Sequence, residues 1–262
     1  MLSPLKYPGG KRDLVVLLDM LYASHRGRRL VEPFVGGMSV ALGLEPEGAV
    51  LSDVNLHLVN FYLRLRDPRP FTIKMENDEG FYYEHREMFN DLIKNGDDGI
   101  SDAAEIFYYL NRTCFNGVCR FNSAGEFNVP FGKHKLINYR RDFSEYAPAL
   151  SRWGIQCAPF WQVPARAGDF VYLDPPYDTD FTEYSGRKFT WEDQVLLAEM
   201  YAAHAGPIVA SNQATARVLD LYRRLGYEVR TTEMRRSVSR DGDRTPALEM
   251  VAMRNVKGAL PS

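Results

Sequence analysis

The segment Phe170-Val171-Tyr172-Leu173-Asp174-Pro175-Pro176-Tyr177 reads as a buried strand with an abrupt end. Its first four residues form a continuous apolar run, the pattern of a strand covered on both faces. The two prolines then stop the ladder, because proline fixes φ, carries no N–H and keeps the residue before it extended. The outcome is a stiff corner at the carboxyl end of a strand, where open α/β sheets hold their ligands. The corner presents a carboxylate, a proline carbonyl and an aromatic face together. An exocyclic amine on a flat base needs two acceptors for its N–H groups and a ring to stack on, and this segment supplies all three. The alternative is an ordinary strand exit in which Asp174 satisfies local backbone N–H groups.

The surrounding pattern places the corner in an α/β sheet. Arg29 to Phe34 is a short strand candidate, and Gly36-Gly37 turns into a helix beginning near Met38. Ala49 to Asp53 is a second buried strand. Asn55 to Arg66 carries Leu58, Phe61, Tyr62 and Leu65 at helical spacing. A βαβα unit of this kind builds a parallel sheet. From Pro68 to Thr113 there are helices, over Gly80 to Asn95 and Asp102 to Arg112, and no clear strand. Cys114 to Tyr139 is a Gly- and Asn-rich region with aromatic and basic residues. Strands resume at Gly154 to Cys157 and Phe170 to Asp174. Trp191 to Ala205 follows as a helix, with Thr190 and Asp193 forming a capping box. Pro207 to Ser211 is a strand, Ala214 to Leu225 a helix closed by Gly226, and Tyr227 to Met234 and Ala247 to Met253 the last two strands. The expected fold is an α/β sheet assembled from residues 1–56 and 144–262, with a mainly helical insertion over residues 57–143.

Composition narrows the class. The chain has 262 residues, 45% of them hydrophobic and 25% charged, as in a globular protein that needs no membrane. No apolar stretch reaches the roughly 18–20 residues that span a bilayer. The first residues lack the apolar core of a signal peptide, so a cytoplasmic location is expected. Cys114, Cys119 and Cys157 make no even disulfide set and fit no zinc spacing, and they read as buried free thiols. No metal is expected. Net charge is −2, which argues against a nonspecific polycation. A local basic face is still what phosphates feel, and Arg217, Arg223, Arg224, Arg230, Arg235, Arg236, Arg240 and Arg244 fall close together. The first three of these read as a solvated helix face.

A second candidate site lies nearer the N-terminus. Glu32-Pro33-Phe34-Val35-Gly36-Gly37-Met38-Ser39 joins the first strand to its helix, and glycines there let backbone approach a ligand. The segment is not the fingerprint G-x-G-x-x-G, and no pyrophosphate need be assumed. Asp53 ends the next strand, about 20 residues on, where a carboxylate accepts both hydroxyls of a ribose. Its competing role is helix N-cap. Tyr7-Pro8-Gly9-Gly10-Lys11 is a tight turn, anchored by the apolar run Leu14 to Leu18.

These segments, in this order, resemble those of the Dam-type DNA adenine-N6 methyltransferases. The resemblance runs from about Leu5 to Arg254. It rests on Lys6 to Lys11, Glu32 to Gly36, Ser52-Asp53-Val54-Asn55, Asp174 to Tyr177, Ser211-Asn212, and above all on Tyr109 through Arg120 to Gly132. It implies a Rossmann-like methyltransferase sheet, the cofactor S-adenosyl-L-methionine and double-stranded DNA as partner, with a monomer expected. Tyr7, Lys11, Phe34, Gly36, Asp53 and Asp174 match the family's cofactor-binding positions, and Asp174, Pro175 and Tyr177 its catalytic ones. Tyr7 is a tryptophan in some relatives, and Gly36-Gly37-Met38 stands where others carry Gly-Ala-Gly.

The insertion resembles the family's target-recognition region. Arg120 matches a residue making a bidentate contact to guanine. Val118 and Pro130 match contacts to a thymine methyl, and Phe115 and Asn116 match residues that push into the base stack. Lys6 matches a lysine reading the first guanine, Lys133 an arginine beside the site, and Arg235, Arg236, Ser237 and Ser239 a loop on DNA phosphates. Core packing is the competing role for Val118 and Phe115. The resemblance implies methylation within GATC, with GATATC as the nearest alternative. Amino-methylation of RNA or of a protein glutamine is the competing enzymatic reading; those families tend to carry Asn at position 174 and lack the Arg120 to Gly132 block. A DNA-binding module without turnover would carry a damaged cofactor site.

Overall fold

A seven-stranded sheet organises the computed structural model, which describes residues 1–7, 12–177, 183–184, 187–234 and 247–257. In chain order the elements are α1 (Arg12–Ala23), β1 (Leu30–Glu32), α2 (Ser39–Leu44), β2 (Ala49–Asp53), α3 (Leu56–Arg64), α4 (Glu79–Asn95), α5 (Ser101–Thr113) and the short α6 (Ala147–Leu150). There follow β3 (Gly154–Cys157), β4 (Phe170–Leu173), the two-residue strands β5 (Glu183–Tyr184) and β6 (Arg187–Lys188), α7 (Trp191–Ala202), β7 (Ile208–Gln213), α8 (Ala216–Arg224), β8 (Glu228–Met234) and β9 (Ala247–Arg254).

The strand order is β3-β2-β1-β4-β7-β9-β8. The first five strands run parallel, and β9 is antiparallel to both its neighbours. From β1 the chain steps outward to β2 and β3, then returns to β4 on the other side of β1. The order therefore reverses between β1 and β4, and such a switch point opens a crevice at the carboxyl ends of the strands. The two motifs singled out in the sequence leave those two ends. This is the expected Rossmann-like arrangement, a doubly wound sheet with one reversed strand.

Helices cover both faces, as a parallel sheet requires. One apolar cluster joins α1, α2, α3 and α5 to Leu30, Leu51, Phe170 and Tyr172 and continues into Phe127 and Val129. The other packs α7 and α8 against Val31, Val171, Leu173, Ile208 and Ala210. The aromatic residues between positions 57 and 143 are thus continuous with one face of the sheet.

Local signals set most boundaries. Thr190 and Asp193 form the expected capping box. Gly226, at φ 78°, closes α8. The helix after Thr190 stops at Ala202 rather than Ala205. His204 there turns back to the Asp169 carbonyl at 3.1 Å, and Gly206 lies so close to that carbonyl that a Cβ would meet it at 2.4 Å. The chain must make that tight approach to enter β7. The first strand is also shorter than expected, because Pro33 ends its ladder. Two cysteines depart from expectation. All three are free thiols and Cys114 is buried, but Cys119 is half-buried and Cys157 exposed, the last on the edge strand β3, which pairs only with β2. No described helix is long and apolar enough to cross a membrane.

His57, at the start of α3, stacks on Phe121 with ring centroids 4.7 Å apart. Among the described residues its Nδ1 has no hydrogen-bond partner, and the Asp98 carboxylate stands 3.9 Å away. Burial pulls its pKa down to about 4, against a smaller upward pull from Asp98. The folded protein keeps this ring neutral between pH 6.5 and about 4, while the unfolded chain takes up a proton. Stability is therefore lost as pH falls through that window, by about 3 kcal/mol in full and about 2 kcal/mol by pH 5. Urea titrations at pH 7.5 and 5 should show His57→Phe losing about 2 kcal/mol less than wild type; equal losses would remove His57 as the cause.

Candidate active site

The crevice is built on three neighbouring strands. Val31 on β1 pairs with Val50 on β2 and with Val171 on β4. Asp53 and Asp174 each lie three residues beyond that rung, so both stand at the same edge of the sheet. Two strand spacings separate them, roughly 10 Å. Glu32 sits on β1 between them.

The cofactor-side loop is tightly determined. Gly36 has φ 44°, in the left-handed region, and a Cβ on it would meet Tyr7 Cε1 at 2.9 Å. A Cβ on Gly37 would meet Tyr7 Cβ at 2.9 Å. The Tyr7 ring therefore lies across a backbone that admits no side chain. Asp53 Oδ2 accepts the Gly36 N–H at 2.9 Å, and Oδ1 accepts the Asn55 N–H at 2.9 Å. Tyr62 Oη donates to the Gly36 carbonyl at 2.6 Å. The N-cap of α3 is Asn55, whose side chain accepts from His57 and Leu58. Asp53 is thus spared the capping role that competed for it. Burial raises its pKa, opposed by the backbone N–H groups of Asn55, Gly36 and Val54. Phe34 packs with Phe160 and Phe189, each ring centroid 5.8 Å away.

The stiff corner is held from behind. Pro175 is buried, and Asp174 and Pro176 partly so. Ser211 Oγ on β7 donates to Asp174 Oδ1 at 3.1 Å. Tyr172 Oη lies 2.7 Å from Ser211 Oγ. Serine has one proton, committed here to the carboxylate, so the tyrosine donates to the serine. Tyr177 Oη donates to Glu249 Oε1 at 2.5 Å.

Two acidic residues here were not picked out from sequence. Glu32 is 2% exposed, and its Oε1 has no hydrogen-bond partner among the described residues. Burial, then the charge of Asp174, pushes its pKa well above the usual range, against a smaller downward pull from the Ala41 N–H. Its signal was an acid at a strand end just before proline. Glu249 left no local signal at all.

The second surface is the segment from Cys114 to Lys133. Cys114 bridges to Phe131 and Phe121 to Phe127, and Phe115 N–H donates to the Pro130 carbonyl at 2.9 Å. Phe127 and Val129 point into the core, whereas Phe115, Asn116, Arg120, Pro130 and Lys133 are exposed. Phe115 is 53% exposed, too open for a core role, while Val118 is half-buried. Asn116 and Lys133 have φ 54° and 48°, so the backbone bends sharply at both. Arg120 Nε donates to Asn128 Oδ1 at 2.8 Å and one Nη to the Asn128 carbonyl at 3.2 Å. Lys6 is tied in from the N-terminus. Its N–H donates to Asn111 Oδ1 at 2.9 Å, and Asn111 Nδ2 donates to the Lys6 and Gly117 carbonyls. Lys6 Nζ donates to the Arg112 carbonyl at 3.2 Å; burial, then the Arg112 charge, lowers its pKa.

The sequence that builds this crevice and the exposed segment beside it also matches known proteins. Residues 7–238 match the model of the D12 class N6 adenine-specific DNA methyltransferases. The chain belongs to that family. A DNA adenine methylase of Vibrio cholerae is 34% identical over 258 residues, 91% of this chain and 90% of that protein. The DNA adenine methylase of Escherichia coli is 35% identical over 258 residues, covering 91% and 89%. That of Serratia marcescens is 33% identical over 257 residues, covering 90% and 92%.

In this methyltransferase the structure brings together Tyr7, Phe34, Gly36, Asp53, Asp174, Pro175 and Tyr177 at the sheet edge, with Lys6, Phe115, Asn116, Val118, Arg120, Pro130 and Lys133 in the adjoining segment. Lys11, Arg235, Arg236, Ser237 and Ser239, singled out from sequence, lie outside the described residues.

Proposed function

We propose that the enzyme transfers a methyl group from S-adenosyl-L-methionine to N6 of an adenine everted from double-stranded DNA, within GATC, with GATATC as the nearest alternative. The observation that carries this reading is the common position of Asp53 and Asp174 at the carboxyl edge of β2 and β4, with Glu32 between them.

The residues present fit the donor. The Gly36-Gly37 turn holds the Tyr7 ring against its backbone, the Asp53 carboxylate keeps acceptor capacity beyond its backbone contacts, and Glu32 offers an oxygen with no partner among the described residues. Asp53 would take the ribose hydroxyls, with Tyr7, Lys11, Phe34 and Gly36 lining the pocket. When bound, the donor supplies an electrophilic methyl group on a sulfonium. Asp174 and the Pro175 carbonyl accept the two N6 hydrogens and draw electron density toward nitrogen, whose lone pair is otherwise spread into the ring. Tyr177 stacks on the base. Positioning and preorganised acceptors supply the acceleration.

A base inside a duplex is out of reach, so the target must leave the stack. Phe115 and Asn116 would fill the gap, offsetting an unstacking cost of a few kcal/mol. Arg120 and Lys6 would read guanines, Val118 and Pro130 the thymine methyl, and Lys133, Arg235, Arg236 and Ser237 would steady the backbone. The enzyme is proposed to act as a cytoplasmic monomer.

Sequencing of modified bases on unmethylated duplex, after exposure to the purified protein and S-adenosylmethionine, is the test. N6-methyladenine confined to GATC is expected. Methylation at another motif revises the site alone. No transfer to duplex, or transfer to cytosine or RNA instead, overturns the reading.

A further inference from the structure

The corner that would grip the base is fastened at both ends, by two adjacent strands. At one end Ser211 on β7 donates to Asp174. At the other, Tyr177 Oη donates to Glu249 on β9 across 72 residues of chain. In the β7–β9 ladder Ser211 faces Val251 and Gln213 faces Glu249, so the two fasteners stand two rungs apart. Between them lie Pro175 and Pro176, whose φ angles are fixed by their rings.

Glu249 is 4% exposed, although a carboxylate in a strand costs free energy to bury unless its oxygens are used. The Tyr177 hydroxyl uses one of them, donating to Oε1 at 2.5 Å. A phenolic O–H lies preferentially in the plane of its ring, so an acceptor of fixed direction orients the ring as well as its tip. The backbone sets one end of the tyrosine, and Glu249 sets the other.

We infer that Glu249 is a positioning residue that sets the plane of the Tyr177 ring for the everted base. The inference rests on the proposed function, in which Tyr177 is the stacking surface. Glu249 itself touches neither base nor donor in this scheme and acts through the tyrosine hydroxyl.

The test is a double-mutant cycle read as kcat, DNA KM and fluorescence of 2-aminopurine at the target position, an adenine analogue whose emission falls when it stacks. Glu249→Ala should lower kcat roughly tenfold, within the range of coupling between contacting residues. DNA KM should stay within about threefold, because phosphate and guanine contacts are untouched. The 2-aminopurine signal in the complex should rise as stacking is lost. Glu249→Gln keeps an acceptor oxygen and should restore kcat to within about threefold of wild type. Tyr177→Phe should reproduce the Ala loss, and adding Glu249→Ala to it should cost nothing further. Unchanged kcat in Glu249→Ala overturns the inference, as do losses that add in the double variant. If Glu249→Ala does not fold, Glu249→Leu, which fills the space but offers no acceptor, takes its place in the cycle: Tyr177→Phe with and without it should show equal kcat, and a further loss overturns the inference. Wild-type enzyme that transfers no methyl group to DNA removes the proposed function, and this inference with it; wild-type transfer with an insensitive Glu249 removes this inference alone.

Discussion

Asp174→Ala is expected to lower methyl transfer to DNA by about a thousandfold while the protein stays folded, the loss typical of removing one preorganised polar group aimed at developing charge. The side chain is the acidic member of the rigid corner and stands partly open to the crevice. Ser211 orients it from behind through a hydrogen bond of 3.1 Å, and Tyr172 holds that serine at 2.7 Å. Its removal takes away the proposed acceptor for the N6 amine and leaves the proline geometry unchanged. The buried serine and tyrosine still pair with each other, so little stability should be lost. The loss should fall on kcat, because in the proposed scheme substrate binding draws on the separate surface around Arg120. Incorporation of tritiated methyl into duplex measures the rate, and thermal unfolding by circular dichroism checks the fold. Turnover within tenfold of wild type would show that the amine is held elsewhere.

Arg120→Ala is expected to reduce discrimination at one guanine by between about 5- and 150-fold, the equivalent of 1–3 kcal/mol for a bidentate arginine–guanine contact. The structure defines how that contact would be made. Asn128 occupies Nε–H and one N–H of a terminal nitrogen, which orients the guanidinium in advance. Three N–H groups remain at its far end, two on one terminal nitrogen and one on the other, enough for an end-on fork. Methylation rates on duplexes altered one base at a time should show the selectivity collapsing at a single position. Asn128→Ala should produce a weaker version of the same change. Selectivity unaltered at every position would assign the reading to another residue.

Much of this molecule was legible in the chain because the signals are local. Alternating strand and helix patterns located the sheet, and Thr190 with Asp193 marked the start of α7. Glycine at positions 36 and 37 announced a backbone that something must approach, though not that Tyr7 would be the neighbour. The sequence was mistaken or undecided where a residue's setting depends on its neighbours in space. Cys157 reads as buried from composition, but β3 is an edge strand. Phe115 had a core role open to it until the bend at Asn116 turned it outward.

The linear sequence determined the stiff corner after β4, the glycine turn after β1 and the acid that ends β2, because proline, glycine and short-range capping act on their own backbone. Only the tertiary structure decided that Asp53 and Asp174 flank Glu32, that Asn111 ties Lys6 to Gly117 across about a hundred residues, and that Glu249 meets Tyr177. Those pairings depend on which strands lie side by side, and strand order is set by the burial of whole helix faces against the sheet, a choice that no local segment encodes.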